Sequence, residues 1–178
     1  MDPEQEDEAA VLAAQAPVMQ AAWAFAGAYW VDRDMRAAWR AVHPTLRRCW
    51  AQAWLMPLID QARADGYDPD EVVEAFTADD VDHDLWQPFA RTQIKQDATL
   101  PVDRETWGVK VNPDFVAPDV MLVRLLPVPA GGVIQPGETY MSVPLLMRYD
   151  EGAGWRLLNF VSEQIPEPGW PPRLDRSS

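Results

Sequence analysis

The chain contains two histidines and one cysteine, and the stretch "VHPTLRRCWAQAWL", residues 42–55, holds His43 and Cys49 together. A cysteine nucleophile needs a base within hydrogen-bond reach and surroundings that favour the thiolate. On one continuous helix this spacing would turn the two side chains about 240° apart, and Pro44 interrupts such a helix between them. Cys49 falls instead on the stripe Leu46, Cys49, Trp50, Ala53 and Trp54, where a free cysteine acts as a small buried hydrophobe. Arg47 and Arg48, as immediate neighbours, project away from it. His43 is read as a structural hydrogen-bonding group at a helix junction.

A second cluster, "TADDVDHDLW", gathers Asp79, Asp80, Asp82, His83 and Asp84. It lacks the glycine and the terminal glutamate of a calcium loop, and a helix would bring together only Asp79 with His83, or Asp80 with Asp84. Capping by Asp80 or Asp82 beside a solvated acidic face is the expectation, with no metal. The "AGG" and "GAG" clusters lack the spacing and the lysine of a phosphate-binding loop, so no nucleotide and no other cofactor is expected.

A formal net charge of −13 and a pI near 4.4 argue against nucleic acid and anionic membranes as partners. The apolar run Val18–Val31 falls short of the roughly 20 residues that cross a bilayer. The start, "MDPEQEDE", is acidic where a secretory signal carries positive charge, and a single cysteine makes no internal disulfide, so a cytoplasmic location is expected. With 48% apolar residues and nine tryptophans, one well-filled core is expected.

The elements that must position these groups divide the chain in two. Residues 1–16 read as an acidic flexible leader, followed by a helix from Pro17 to about Trp30 that is apolar on every side and therefore enclosed. Asp34 reads as the N-cap of a short second helix carrying Met35, Ala38, Trp39 and Val42. Pro44 ends it, and a third helix runs from Thr45 to near Gly66 with a kink at Pro57. Residues 60–100 read as an acidic, solvated helical insertion. After about residue 100 strands follow: "TWGVKV", "DVMLVRLLPV", "TYMSVPLLMRYD" and "WRLLNFVSEQI", and residues 166–178 form a proline-rich tail. The fold class is α+β, a single domain over 17–165.

The turn "DEGAG" sets a hairpin register in which Tyr149 opposes Trp155, Met147 opposes Leu157, Leu145 opposes Asn159, Val143 opposes Val161 and Met141 opposes Glu163. Met121, Val123 and Leu125 would continue this apolar face. Pro144 signals an edge or a bulge, and a bulge would exchange inside and outside on one side of it. The opposite face would carry Arg124, Arg148 and Arg156 among Leu122, Leu126, Tyr140, Leu146, Leu158 and Phe160. So much exposed apolar surface predicts a homodimer through the sheet, with Trp170 of the tail as the rival cover.

Asn159 and Glu163 interrupt the apolar face, and Tyr29 near the end of the first helix could share their space. Apolar linings with a few convergent polar groups are the usual form of a small-molecule site. The competing and favoured reading has Glu163 in water and Asn159 bonded to a neighbouring backbone.

The order of elements, the segment "VDRDMRAAWRAVHP" and the closing strand "GWRLLNFVSEQI" together resemble the nuclear-transport-factor-2-like superfamily over roughly residues 17–165. The resemblance implies a cone, with N-terminal helices in the concave face of a curved antiparallel sheet. It implies two classes of function. One is a non-catalytic binding or interaction domain for a protein partner or a small apolar ligand. The other is a cofactor-independent isomerase, dehydratase or cyclase, for which Glu163, Asn159 and Tyr29 are the weak catalytic candidates. The isomerase motif positions do not map onto this chain, which places the non-catalytic reading first.

Overall fold

Residues 3–96, 100–129 and 141–175 are described by the structure, a computed structural model. They form an α+β arrangement in which helices α1 (Pro3–Ala26), α2 (Met35–Arg40), α3 (Pro44–Leu55), α4 (Ile59–Ala64), α5 (Pro69–Phe76) and α6 (Trp86–Gln96) precede an antiparallel sheet. Its strands β1 (Trp107–Ala117), β2 (Val120–Pro127), β3 (Val143–Asp150) and β4 (Gly154–Phe160) lie side by side in chain order. Among the described residues no helix is long and apolar enough to cross a membrane.

The first helix ends near Trp30 as expected but departs from expectation at its start. It begins at Pro3, with Pro17 in its interior, and runs on through a π-helical turn, Gly27–Val31. The leader is rich in Ala, Glu and Gln, strong helix formers, and that propensity carries the helix through the proline. Nor is the helix enclosed. Val18, Ala22, Phe25 and Tyr29 are buried at helical spacing, whereas Gln20 and Ala24 face solvent.

Asp34 caps α2, its Oδ1 accepting the Ala37 N–H at 3.0 Å. The long third helix is broken by Pro57 rather than merely kinked: α3 gives way to a 3-10 turn, Met56–Leu58, before α4 resumes. Gly66, at φ +88°, supplies the left-handed residue beyond α4.

The acidic segment 60–100 is not a solvated insertion. Val72, Val73 and Phe76 of α5 and Trp86, Phe89 and Ala90 of α6 are core residues, and across the helices Trp39 meets Trp86 and Phe89 edge-on while Trp54 stacks on Phe76. The high acid content conceals two amphipathic helices: α5 keeps Asp70, Glu71 and Glu74 on its outer side, and α6 contains no carboxylate at all.

In the sheet, Met121 pairs with Met147, Val123 with Leu145 and Leu125 with Val143, placing these residues on the helix-facing side. The β3–β4 hairpin keeps Tyr149 opposite Trp155 and Met147 opposite Leu157, then slips by one residue. Beyond the slip Leu146 pairs with Asn159 and Leu145 with Phe160, leaving Leu158 as the extra residue of a bulge. Phe160 therefore turns into the core and Asn159 leaves it, the reverse of the regular register. Val143 has no partner at Val161, whose N–H is instead donated to the Pro144 carbonyl at 2.9 Å.

On the opposite face Arg148 does lie across from Arg156. The repulsion is relieved by Asp119, 2.9 Å from Arg148, and by Asp79, 3.0 Å from Arg156. Leu122, Leu146 and Leu158 are covered within the single chain, at 3%, 0% and 0% exposure, and Leu126 is partly buried, so these members of the apolar patch read from the sequence are not freely presented to solvent. Tyr140, assigned to the same patch, lies outside the described residues, as does the "AGG" turn. At Gly169 and Trp170, the rival cover read from the sequence, the tail runs along the helices: the Gly169 N–H is donated to Gln52 of α3 and the Trp170 indole N–H to Asp70 of α5, each at 3.0 Å.

One more contact joins the layers. His43 donates its backbone N–H to the Leu157 carbonyl at 2.7 Å, and Leu157 donates to the Ala41 carbonyl at 2.8 Å. The α2–α3 junction thus runs along the outer edge of β4.

Candidate functional site

The space between the first helix, α3 and the sheet is filled by rings. Tyr29, 1% exposed, stacks on Phe25 and meets Trp30, Trp50 and Phe160 edge-on, with ring centroids 5.3–5.9 Å apart. The Tyr29 hydroxyl donates to the Gln93 carbonyl at 3.2 Å, and the Trp50 indole N–H donates to the Gln93 side chain. The bulge at Leu158 delivers Phe160 to this cluster.

The three polar candidates from the sequence are not brought together. Tyr29 lies inside the ring cluster. Asn159 is buried elsewhere, its amide donating to the carbonyls of Gln164 and Leu174 at 2.8 and 3.3 Å, so it ties the tail to β4. Glu163, half-exposed, pairs with Arg124 at 2.5 Å.

His43 and Cys49 are also separate in function. His43 Nδ1 accepts the Thr45 N–H at 3.2 Å and caps α3. Burial, reinforced by the charge of Arg148, pushes its pKa down to about 4. Cys49 is fully buried, and burial pushes its thiol up to about 11.

In the acidic cluster His83, not Asp80 or Asp82, performs the capping: its Nδ1 accepts the Leu85 N–H at 3.1 Å ahead of α6. Asp80 pairs with Arg40 at 2.5 Å, and Asp79 receives both Arg47 and Arg156. Among the described residues no group of three or more His, Cys, Asp or Glu side chains could hold a metal ion.

A groove suited to recognition lies on the outside, where the start of α2 meets α6. An open groove of about 690 Å³ has Met35, Trp86 and Ile94 as its apolar floor. Four exposed cations line it: Arg33, Arg36, Arg91 and Lys95. Arg36 lies 5.4 Å from the centre of the Trp86 ring and donates to the Val81 carbonyl at 3.2 Å. Arg33 occupies the left-handed region at φ 55° and reaches the Ile94 carbonyl at 3.5 Å.

The two acidic residues of the groove are engaged elsewhere, Asp34 in capping α2 and Asp32 in an ion pair with Arg104 at 2.6 Å. Arg36, Arg91 and Lys95 form no ion pair with a described carboxylate. That is notable in a chain with 28 acidic and 15 basic residues, where exposed cations find carboxylates easily. The sequence carried part of this signal, in the one-turn spacings Arg33–Arg36 and Arg91–Lys95. What it did not carry is that the packing of α6 against α2 sets the two pairs side by side.

No family model matches the chain, and neither the curated proteins nor the solved structures contain a significant match.

Proposed function

We propose that this protein is a non-catalytic interaction domain of nuclear-transport-factor-2-like architecture that recognises a protein partner through the groove between α2 and α6. The observation that carries this reading is the gathering of Arg36, Arg91 and Lys95, without an ion-pair partner among the described carboxylates, around an apolar floor on a strongly acidic chain. Such a surface attracts carboxylate-bearing partners electrostatically and holds them by apolar contact.

Weighing against the isomerase, dehydratase or cyclase alternative is the state of its candidates: Tyr29 is bonded within packed rings, and Glu163 is ion-paired at the surface. The same ring packing weighs against a small apolar ligand inside the fold.

The test is an NMR titration of the labelled protein with a peptide of alternating glutamate pairs and leucines. Shifts confined to residues 32–36 and 86–95 support the reading. Shifts absent there, or turnover of an enolisable cyclic ketone that Tyr29→Phe abolishes, would overturn it.

A further inference from the structure

Resting on the groove as a protein-recognition surface, we infer its occupant: the acidic first half of α1 from a second copy of this chain. Within the first eight residues stand Asp2, Glu4, Glu6, Asp7 and Glu8. Val11 and Leu12, one helical turn after Asp7 and Glu8, are 54% and 55% exposed. Acidic groups followed by two exposed aliphatic side chains on one helix complement cations set around Met35, Trp86 and Ile94.

Helix length excludes docking within one molecule. The 24 residues of α1 span about 36 Å, and the groove begins at Asp32, just past the π-helical turn that ends the same helix. The acidic end and the groove are therefore at opposite ends of one rod. Two rods laid antiparallel bring each acidic end to the other's groove. That arrangement has two-fold symmetry, makes the same contact twice and closes as a dimer. Pairing through the sheet has less to offer, because Leu122, Leu146 and Leu158 are already covered.

The experiment uses the full chain in sedimentation velocity at about 0.05 M and about 0.5 M salt, between which the screening length falls about threefold. The expected result is a dimer at low salt whose dissociation constant rises at least tenfold at high salt. Arg91→Glu with Lys95→Glu makes one monomeric variant, and Glu4→Lys with Glu8→Lys makes another. Mixed together, the two restore a dimer, since each supplies the charge the other's partner surface now needs. Arg91 and Lys95 are exposed and Glu4 and Glu8 stand in the first turns of α1, and unchanged melting temperatures establish that both variants fold.

A wild-type chain that stays monomeric at low salt overturns the inference, as does a dimer indifferent to Arg91→Glu with Lys95→Glu. The peptide titration separates this failure from that of the broader reading. A monomer whose groove still responds to the glutamate–leucine peptide removes self-docking alone, whereas a silent groove removes both.

Discussion

Arg47 and Asp79 meet at 2.6 Å with the guanidinium 1% exposed and the carboxylate 52% exposed, so a buried cation is neutralised by an anion at the surface. The guanidinium also donates to the carbonyls of Trp39 at 3.0 Å and Thr77 at 2.7 Å, which end α2 and α5. Asp79 in turn accepts from Arg156 of β4. One side chain on α3 thereby fastens two helix ends and, through a single carboxylate, the last strand. Burial alone would raise the Asp79 pKa, but the hydrogen bonds from Arg47 and Arg156 prevail and hold it below the ordinary carboxylate value.

Arg47→Ala should accordingly cost about 3 kcal/mol, since it strands buried carbonyls as well as breaking the pair. Asp79→Asn keeps a hydrogen-bond acceptor and should cost about 1 kcal/mol. Urea denaturation of the two variants measures both, and equal losses would contradict the central place given to Arg47.

His43 predicts a pH response. Its folded pKa of about 4 lies below the ordinary 6.5, so the fold favours the neutral ring that accepts at Nδ1. Stability from this group is complete above about pH 6.5 and falls as the pH drops towards 4, by about 2 kcal/mol after allowance for solvent screening. His43→Asn retains a capping acceptor that does not titrate in this range. Thermal melts at pH 7 and pH 5 should show a smaller difference for the variant than for the wild type.

Cys49 should be inert in the folded protein. A thiol at about 11 with no exposed surface presents almost no thiolate at pH 8. An aromatic disulfide reagent should leave it unmodified until denaturant is added, and rapid native-state labelling would contradict its placement.

The bulge gives neighbouring residues of one strand end unequal weight. Phe160→Ala should cost about 3–5 kcal/mol, the usual range for a buried ring. Glu163→Ala removes only a surface ion pair with Arg124 and should cost less than about 1 kcal/mol. Chemical denaturation of both decides the matter, and a reversed order would restore the regular register.

Much of the fold was written in local signals. The Asp34 cap, an irregularity at Pro57 though not its extent, and the first two pairs of the β3–β4 hairpin each depend on residues close in sequence, and each was readable. Pro144 announced an irregularity, but a proline does not specify which partner residue is left over, so the slip at Leu158 was invisible and Asn159 and Phe160 exchanged sides. The acidic stretch misled because composition averages over a helix, whereas burial follows one face of it. The groove escaped because its two halves, around Arg36 and Arg91, are adjacent only after α6 has packed.

The strip of backbone from Ala41 to His43 along β4 has a consequence for solubility. An open strand edge is a template on which other chains polymerise, and here one of the sheet's two edges is already occupied by the chain's own α2–α3 junction. Among the described strands the other edge is β1, where Pro113 has no N–H to offer and two irregularities in the pairing with β2 disturb the line an incoming strand would follow. Among the described residues neither margin offers a straight, unbroken ladder, so the stitching of the helical and sheet layers disfavours fibril-like growth.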